Sequence, residues 1–275
     1  MRLRILGCHG GESTSHRATS FLVDDHLLLD AGSTTRGLDL EAQLRIDHIF
    51  ISHVHLDHIR DLPLLADNVI GLRDQPVYIY CTDFTATALE QHVFNNVIWP
   101  DFTKIPNPSD PGRPTLVLKR IVPGQRVKVP GYTVRTVPVN HPVDCQALFV
   151  EGESGTLVYS GDTGPTDALW TELNQVEDLR AFIYEVSFPN GMEKLAAISG
   201  HLTPNMLAAE LQKFHPRQPV PILIYHLKPG FHDVLRAELA ALGDSRLRIL
   251  EPMDEFKLGP ATPGRRDKRA AHAKR

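Results

Sequence analysis

The feature that most constrains this chain is a group of four metal-ligand side chains directly after a short apolar segment. Residues 48–52 are typical of a buried strand, and residues 53–58 then read HVHLDH. If the backbone is extended at the strand end, His53 and His55 point to one side, and the next turn brings Asp57 and His58 towards them. About 0.003 matches to HxHxDH are expected by chance in a chain of this composition. Imidazole and carboxylate ligands suit zinc, and also manganese or iron.

Composition favours a globular chain with an unusually high histidine content. Of 275 residues, 42% are hydrophobic, 23% are charged and 14 are histidine. The three cysteines, Cys8, Cys81 and Cys145, are far apart and form no CxxC motif. This excludes a disulfide scaffold and a thiolate zinc site. It also fits a protein of the reducing cytoplasm. The N-terminal residues lack the apolar stretch of a signal peptide, and no run approaches 18 apolar residues, so we expect no membrane association.

Charge is distributed unevenly along the chain. The segment 259–275 carries six basic residues and one acidic residue, which gives it a net charge of about +5. Because the whole chain has a net charge of −4, the preceding 258 residues have a net charge of −9. We expect residues 1–258 to form a single domain and residues 259–275 to be a basic, disordered tail. An acidic body argues against a nucleic-acid groove, so no stable nucleic-acid partner is expected.

The order of predicted elements indicates two similar halves that divide near residue 115. Each half is rich in short strands and then in helices, which predicts an α/β fold of two packed sheets with helices outside. Residues 20–23 and 27–29 are predicted to form a hairpin, and residues 204–214 a helix capped by Thr203. Residues 100–114 hold five prolines and are predicted to be a long loop, of the kind that often acts as a lid or binding loop.

HxHxDH at the end of an apolar strand resembles the metallo-β-lactamase superfamily. The resemblance implies an αββα four-layer sandwich with a metal site, and it requires a later His, an Asp in a Gly-Asp turn and a last His after a strand. His141, Asp162 and His226 satisfy these requirements in order. By resemblance, His53, His55 and His141 bind one metal ion, Asp57, His58 and His226 bind a second, and Asp162 bridges them. One departure is Asp61, where the superfamily often has glycine.

Longer segments narrow the resemblance to class II 3′,5′-cyclic-nucleotide phosphodiesterases. They extend from about residue 7 to residue 242 and include HLDHIRDLPLLADN, FNNVIWPDF, YSGDTGPTDALW, YEVSFPN, SGHLTPNMLAAEL and YHLKP. The resemblance implies a hydrolase that converts cyclic AMP or cyclic GMP to the 5′-nucleotide monophosphate. Two divalent ions, zinc in the first instance with Mn²⁺ or Fe²⁺ as alternatives, would share a water, lower its pKa and produce the bridging hydroxide nucleophile, which Asp57 would orient.

The departing sugar oxygen needs a proton, and His201 before a predicted helix is the best candidate for the general acid. Phosphodiesterase-type members of the superfamily carry such a His with an upstream Glu, which Glu185 matches. A carboxylate on one imidazole nitrogen raises basicity and fixes the ring. The alternatives are a helix-entry residue for His201 and a surface charge for Glu185.

Four further residues are candidates for substrate binding. Asn95, Trp99 and Phe102 lie before or at the start of the proline-rich loop, where aromatic rings can stack on a base. Lys228 follows the last metal-ligand histidine and is placed to meet a phosphate. Core packing for the aromatic residues and a solvated position for the lysine are the competing interpretations.

Several functions compete with cyclic-nucleotide hydrolysis. A nuclease resembling the tRNA 3′-processing enzymes shares the chemistry, but those enzymes usually carry an RNA-binding arm and basic patches. A lactonase would not need Glu185 and His201. An inactive metal-binding protein would need neither the full ligand set nor a proton donor. A homodimer is an expectation from analogy alone.

Overall fold

Two mixed β-sheets packed face to face make up the centre of the molecule. The computed structural model describes residues 1–259, so the predicted tail lies, apart from its first residue, outside the described residues. Over this range the strands are β1 (Arg2–Gly7), β2 (Ser20–Val23), β3 (Leu27–Leu29), β4 (His48–Phe50), β5 (Val77–Cys81), β6 (Pro106–Asn107), β7 (Asp110–Pro114), β8 (Leu116–Arg120), β9 (Arg126–Val129), β10 (Tyr132–Pro138), β11 (Gln146–Gly152), β12 (Gly155–Tyr159), β13 (Leu179–Glu185), β14 (Ile222–Tyr225), β15 (Leu247–Ile249) and β16 (Glu255–Lys257).

Helices connect these strands on the outer faces of the sheets. In residues 1–259 the α-helices are α1 (Thr34–Gly37), α2 (Leu40–Gln43), α3 (Leu56–Ile59), α4 (Leu62–Val69), α5 (Asp83–His92), α6 (Ala168–Leu173), α7 (Glu193–Ile198), α8 (Pro204–Leu211) and α9 (His232–Ala241), with 3₁₀ turns at Asn190–Met192 and Pro229–Phe231. The Thr203 hydroxyl accepts a hydrogen bond from the Met206 N–H at the start of α8, which confirms the predicted cap. Within this range, no helix is long and apolar enough to cross a membrane.

Each half of the fold contributes one sheet of seven strands. The first sheet runs β16-β1-β2-β3-β4-β5-β8 and the second runs β15-β14-β13-β12-β11-β10-β9. In the second sheet, β12, β13 and β14 are parallel neighbours, as are β3, β4 and β5 in the first. Because parallel strands end at the same edge, the segments that follow them are brought together there.

Alternation of apolar side chains builds three core layers. In β2, Phe21 and Val23 point between the two sheets, whereas Leu22 points towards the helices of the first half. A third cluster, which includes Phe182 and Leu207, lies between the second sheet and its own helices. Since both faces of each sheet are covered, the layers follow the order helix, sheet, sheet, helix, and the predicted αββα sandwich is confirmed.

Three local predictions need correction. The predicted strand over residues 48–52 ends at Phe50, so two residues separate His53 from the end of the strand. The turn after it is a one-turn helix, α3. The proline-rich segment 100–114 is not wholly a loop, because β6 and β7 pair within it as a small hairpin. Proline lacks a donor but is tolerated on such edge strands, which local composition could not distinguish from a loop.

Candidate metal centre

The predicted metal ligands come together at the edge where the parallel strands end. His53 and His55 follow β4, and Asp57 and His58 lie on α3. The other three follow β10, β12 and β14, respectively: His141, Asp162 and His226. These seven residues are called the candidate metal centre. Their convergence depends on both sheets, because four come from the first half of the chain and three from the second.

One side of the centre is formed by three histidines. His53, His55 and His141 present ligand nitrogens that lie within 4.8 Å of one another. Nε2 of His141 is 3.1 Å from Nδ1 of His55. This is the group that the family resemblance assigned to one metal ion.

The other side groups two histidines with two carboxylates. Nε2 of His226 lies 3.2 Å from Oδ2 of Asp57 and 3.4 Å from Nε2 of His58. Oδ2 of Asp162 lies between the two groups, at 3.7 Å from Nε2 of His53, 3.3 Å from Nε2 of His58 and 3.1 Å from Nε2 of His226. The central position of Asp162 is the one expected of a bridging ligand.

Hydrogen bonds on the far side of the rings leave the inward nitrogens as electron-pair donors. Nδ1 of His58 donates to Oδ2 of Asp30 at 2.7 Å, and Nδ1 of His141 donates to the carbonyl oxygen of Gly200 at 3.0 Å. Nδ1 of His226 is 2.7 Å from the hydroxyl of Ser187. Nε2 of His53 is buried and has no hydrogen-bond partner among the described residues. A buried polar atom without a partner is costly, so these residues fit a bound cation.

Electrostatics favour the same conclusion. Burial lowers the pKa of His53, and neighbouring His58 adds to this effect, so His53 is kept in the neutral form that binds metal. Burial would raise the pKa of Asp162, but His226 and His58 outweigh it and hold that pKa well below its ordinary value. An ionised carboxylate beside the neutral imidazole of His53 is a combination of ligands that suits a divalent ion.

Asp30 supports the centre and was missed as a site residue. Its carboxylate accepts hydrogen bonds from the Ser52 N–H at 2.7 Å, the Ser52 hydroxyl at 2.6 Å and the Tyr159 hydroxyl at 2.6 Å, besides its contact with His58. Burial would lower the pKa of His58, but Asp162 and Asp30 raise it overall. The only signal in the sequence was the Asp-Ala-Gly break directly after an apolar strand, which is also ordinary turn chemistry.

Two residues of the site have backbone conformations that are rare for non-glycine residues. Asp30 has φ of 55° and His226 has φ of 72°. Such left-handed conformations carry a cost of order 1–3 kcal/mol and persist where the surroundings fix them. The backbone strain therefore falls on one candidate metal ligand and on the aspartate that orients another.

The predicted acid pair lies beside the metal ligands. Nδ1 of His201 is 2.7 Å from Oε1 of Glu185, and the Glu185 side chain also accepts from the Thr163 N–H at 3.0 Å. Burial would lower the pKa of His201, but the Glu185 carboxylate outweighs it and raises that pKa. The hydroxyl of Ser187 donates to Oε2 of Glu185 at 2.9 Å and contacts His226, so one serine connects the acid pair with the metal centre.

The loop before His201 depends on a glycine. Gly200 has φ of +65°, and a Cβ atom there would lie 2.9 Å from Cα of His141 and 2.7 Å from Cδ of Pro142. Only glycine permits this approach without displacing the His141 backbone. The Gly200 carbonyl that orients His141 and the His201 ring therefore come from one tightly packed turn.

The residues predicted to bind substrate have mixed outcomes. Phe102 is only 3% exposed and belongs to the core between the first sheet and its helices, so its predicted place on a substrate surface is corrected to core packing. Trp99 is half-buried against the same core, and its indole nitrogen has no hydrogen-bond partner in the described part of the chain. The Asn95 side chain is used within its own loop, where it accepts from the Val97 and Ile98 N–H groups.

Lys228 lies near the metal centre. Burial lowers the pKa of His226, Asp162 opposes this change, and the positive charge of Lys228 reinforces it. Asp61, the departure noted in the sequence, is buried and accepts from the N–H and hydroxyl of Thr35 at 2.8 Å. This aspartate connects α1 with the segment after α3, and its side-chain hydrogen bonds do not reach a candidate metal ligand.

Fold and site together define a metal-dependent hydrolase. Residues 26–224 match the family described as the β-lactamase superfamily domain, and the chain belongs to that family. A "Probable 3′,5′-cyclic-nucleotide phosphodiesterase" of Yersinia pestis is 28% identical, with 82% of this chain and 78% of that protein covered. A "Ribonuclease Z" of Halorubrum lacusprofundi is 29% identical over 55% of this chain and 47% of its own length.

A solved structure shares the fold. The structure of unliganded yeast PDE1 superposes with a TM-score of 0.74 at 20% identity, covering 91% of this chain and 98% of the yeast chain. The predicted resemblance to the metallo-β-lactamase superfamily is thereby confirmed, and the relatives include phosphodiesterases and nucleases.

Proposed function

We propose that this protein hydrolyses 3′,5′-cyclic nucleotides to 5′-nucleotide monophosphates. The single observation that carries the proposal is the buried Glu185–His201 pair beside the seven candidate metal ligands. Cleavage of the P–O3′ bond leaves an alkoxide that needs a proton. A histidine held by a carboxylate next to the phosphorus position is suited to supply it. The Yersinia pestis relative is named for this activity, and its similarity to this chain covers most of both proteins.

The chain's own residues divide the remaining tasks. His53, His55 and His141 would hold one divalent ion, Asp57, His58 and His226 a second, and Asp162 would contact both; zinc suits this ligand set, with Mn²⁺ or Fe²⁺ as alternatives. When bound, such ions lower the pKa of a coordinated water and offset phosphoryl charge. His201 would donate its proton to O3′, and Glu185 would keep the ring oriented for the transfer. Lys228 would contact a non-bridging phosphoryl oxygen, and Trp99 remains a candidate wall for the base.

A nuclease similar to ribonuclease Z is the second candidate. Its support is the relative of that name, but only about half of each chain is covered. Residues 1–258 carry a net charge of −9, which opposes binding of a polyanionic RNA. We therefore propose a small-molecule substrate without a stable nucleic-acid partner. Because all three cysteines are buried free thiols, we also propose that the enzyme works in a reducing compartment such as the cytoplasm.

The experiment that tests the proposal is a substrate panel. Purified protein loaded with Zn²⁺ or Mn²⁺ would be incubated with cyclic AMP, cyclic GMP, bis(p-nitrophenyl) phosphate, a tRNA precursor and an acyl lactone, with Asp162→Ala as the inactive baseline. We expect turnover of a cyclic nucleotide with the 5′-monophosphate as product. Cleavage of the tRNA precursor or the lactone, without cyclic-nucleotide turnover, would contradict the proposal.

A further inference from the structure

A second group of histidines lies outside the candidate metal centre. His9, His16 and His232 have ligand nitrogens within 4.8 Å of one another. Their ring centroids are separated by 4.6 Å for His9 and His16, 5.1 Å for His16 and His232, and 5.6 Å for His9 and His232. They come from three places: the glycine-rich loop after β1, the segment before β2 and the first residue of α9. We call them the three-histidine cluster.

Hydrogen bonding leaves two of these rings with a nitrogen directed at their neighbours. Nε2 of His232 is buried and has no hydrogen-bond partner among the described residues, while its Nδ1 lies 3.7 Å from the carboxylate of Asp233. Nδ1 of His16 is 2.6 Å from the Ser13 hydroxyl, so Nε2 is the nitrogen of that ring that would bind a metal ion. A buried imidazole nitrogen without a partner is costly, and a bound cation is one way to satisfy it.

We propose that the three-histidine cluster binds one divalent transition-metal ion in addition to those of the candidate metal centre. Three neutral imidazoles suit Zn²⁺, and also Co²⁺, Ni²⁺ or Cu²⁺, and leave a fourth position for water. Mg²⁺ and Ca²⁺ prefer oxygen ligands, which are absent from these three side chains. No carboxylate belongs to the cluster, in contrast to the first centre.

One contact in the cluster supports a competing arrangement. The Arg17 N–H donates to Nδ1 of His9 at 3.2 Å, so in the absence of metal the proton of that neutral ring is on Nε2. That proton can be shared with a neighbouring histidine. For Nε2 of a neutral His9 ring to bind a metal ion, the proton would have to move to Nδ1, and the contact with the Arg17 N–H would be lost. The two arrangements differ in metal content, which is what the experiment below measures.

The position of the cluster gives the ion a structural task. The loop that carries His9 packs on the ligand residue His226, whose N–H donates to the Cys8 carbonyl at 2.7 Å. A Cβ atom on Gly10 would lie 2.7 Å from Cε1 and Nδ1 of His226. An ion bound by His9, His16 and His232 would connect this loop to the start of α9, which follows His226 in the chain. Since this task is structural, the inference does not rest on the proposed substrate.

Metal content of the full-length protein tests the inference. Chelator-treated protein would be reloaded with excess Zn²⁺, desalted and measured by inductively coupled plasma mass spectrometry, for wild type, His16→Ala, His232→Ala and the control His215→Ala. His215 is exposed and lies outside both groups of ligands. We expect both cluster variants to hold one zinc ion fewer per chain than the wild type and the control. Equal zinc content in all four proteins would overturn the inference.

A second measurement separates the two sites and guards against misfolding. Asp162→Ala weakens the candidate metal centre and leaves the cluster intact, so Zn²⁺ should still raise the Tm of this variant. Adding His232→Ala should reduce that rise while leaving the Tm in chelator unchanged within a few degrees. A zinc-induced rise of the same size with and without His232→Ala would contradict a metal site at the cluster. Neither readout depends on hydrolysis of any substrate.

Discussion

Nδ1 of His201 lies 2.7 Å from Oε1 of Glu185, and the two side chains are 7% and 0% exposed. The pair is fixed by a second contact, because the Ser187 hydroxyl bridges Glu185 to the candidate ligand His226. The proposed proton donor and the candidate metal ligands therefore share one hydrogen-bond network.

Removing the proposed acid should have an effect that depends on the leaving group. His201→Ala should lower kcat on a cyclic nucleotide by about 10²–10⁴-fold, since an alkoxide leaving group needs protonation. On bis(p-nitrophenyl) phosphate, whose leaving group is stable as an anion, the loss should be less than about tenfold. Steady-state kinetics with both substrates measures the difference, and His215→Ala serves as the control. Equal losses on both substrates would remove His201 from the acid role.

The Glu185 carboxylate should set the alkaline limit of activity. This carboxylate raises the pKa of His201, and the protonated ring is the active form, so activity is lost as pH rises through that pKa. Glu185→Gln removes the charge and should move the alkaline limb of kcat/KM to lower pH. Glu172→Gln, which disrupts only a pair with Arg135, should leave the profile in place. A shift in the opposite direction would exclude Glu185 as the partner that stabilises the imidazolium.

Asp30 should influence metal binding without being a ligand. Asp30→Asn weakens the contact that orients His58, so we expect metal affinity to fall about 10–100-fold. Competition with a chromophoric chelator measures this change. Asp61→Asn is the matched control, because Asp61 is equally buried but contacts Thr35 instead of a histidine. If both variants lose affinity equally, the effect is general destabilisation.

Phe102 should matter for stability and not for substrate binding. Phe102→Leu keeps an apolar side chain in the core but removes part of its contacts, which should lower the free energy of unfolding by about 1 kcal/mol. KM should stay within about twofold of the wild-type value. Urea denaturation and steady-state kinetics measure the two quantities. A raised KM with unchanged stability would restore Phe102 to the substrate surface.

Much of the architecture was predictable because it is encoded locally. Strands 20–23, 27–29 and 222–225 have the predicted bounds, since short apolar runs between turn residues have few alternatives. The cap at Thr203 followed from a Thr-Pro pair at a helix start. The hairpin within residues 100–114 was missed because its strands are short and rich in proline and exposed residues.

The support of the site was less accessible to sequence reasoning. Asp30 contacts Tyr159, 129 residues away, and Ser187 contacts His226, 39 residues away, and nothing in their local sequence distinguishes them from turn residues. His9 and His232 were assigned no role, although each lies beside a glycine-containing loop. Their proximity depends on how the glycine-rich loop and α9 pack on His226.

The sequence by itself determined two packed sheets with helices outside and the HxHxDH group, because strand ends, turn residues and ligand spacing are local properties. The αββα order and the other three candidate ligands followed from the resemblance to the metallo-β-lactamase superfamily. Only the tertiary structure decided which groups surround those ligands. Phe102 lies in the core, Asp30 orients His58, and three histidines from distant segments meet beside His226. The physical reason is that burial and hydrogen-bond partners arise from the packing of one sheet on the other, and this packing is not a property of any single segment.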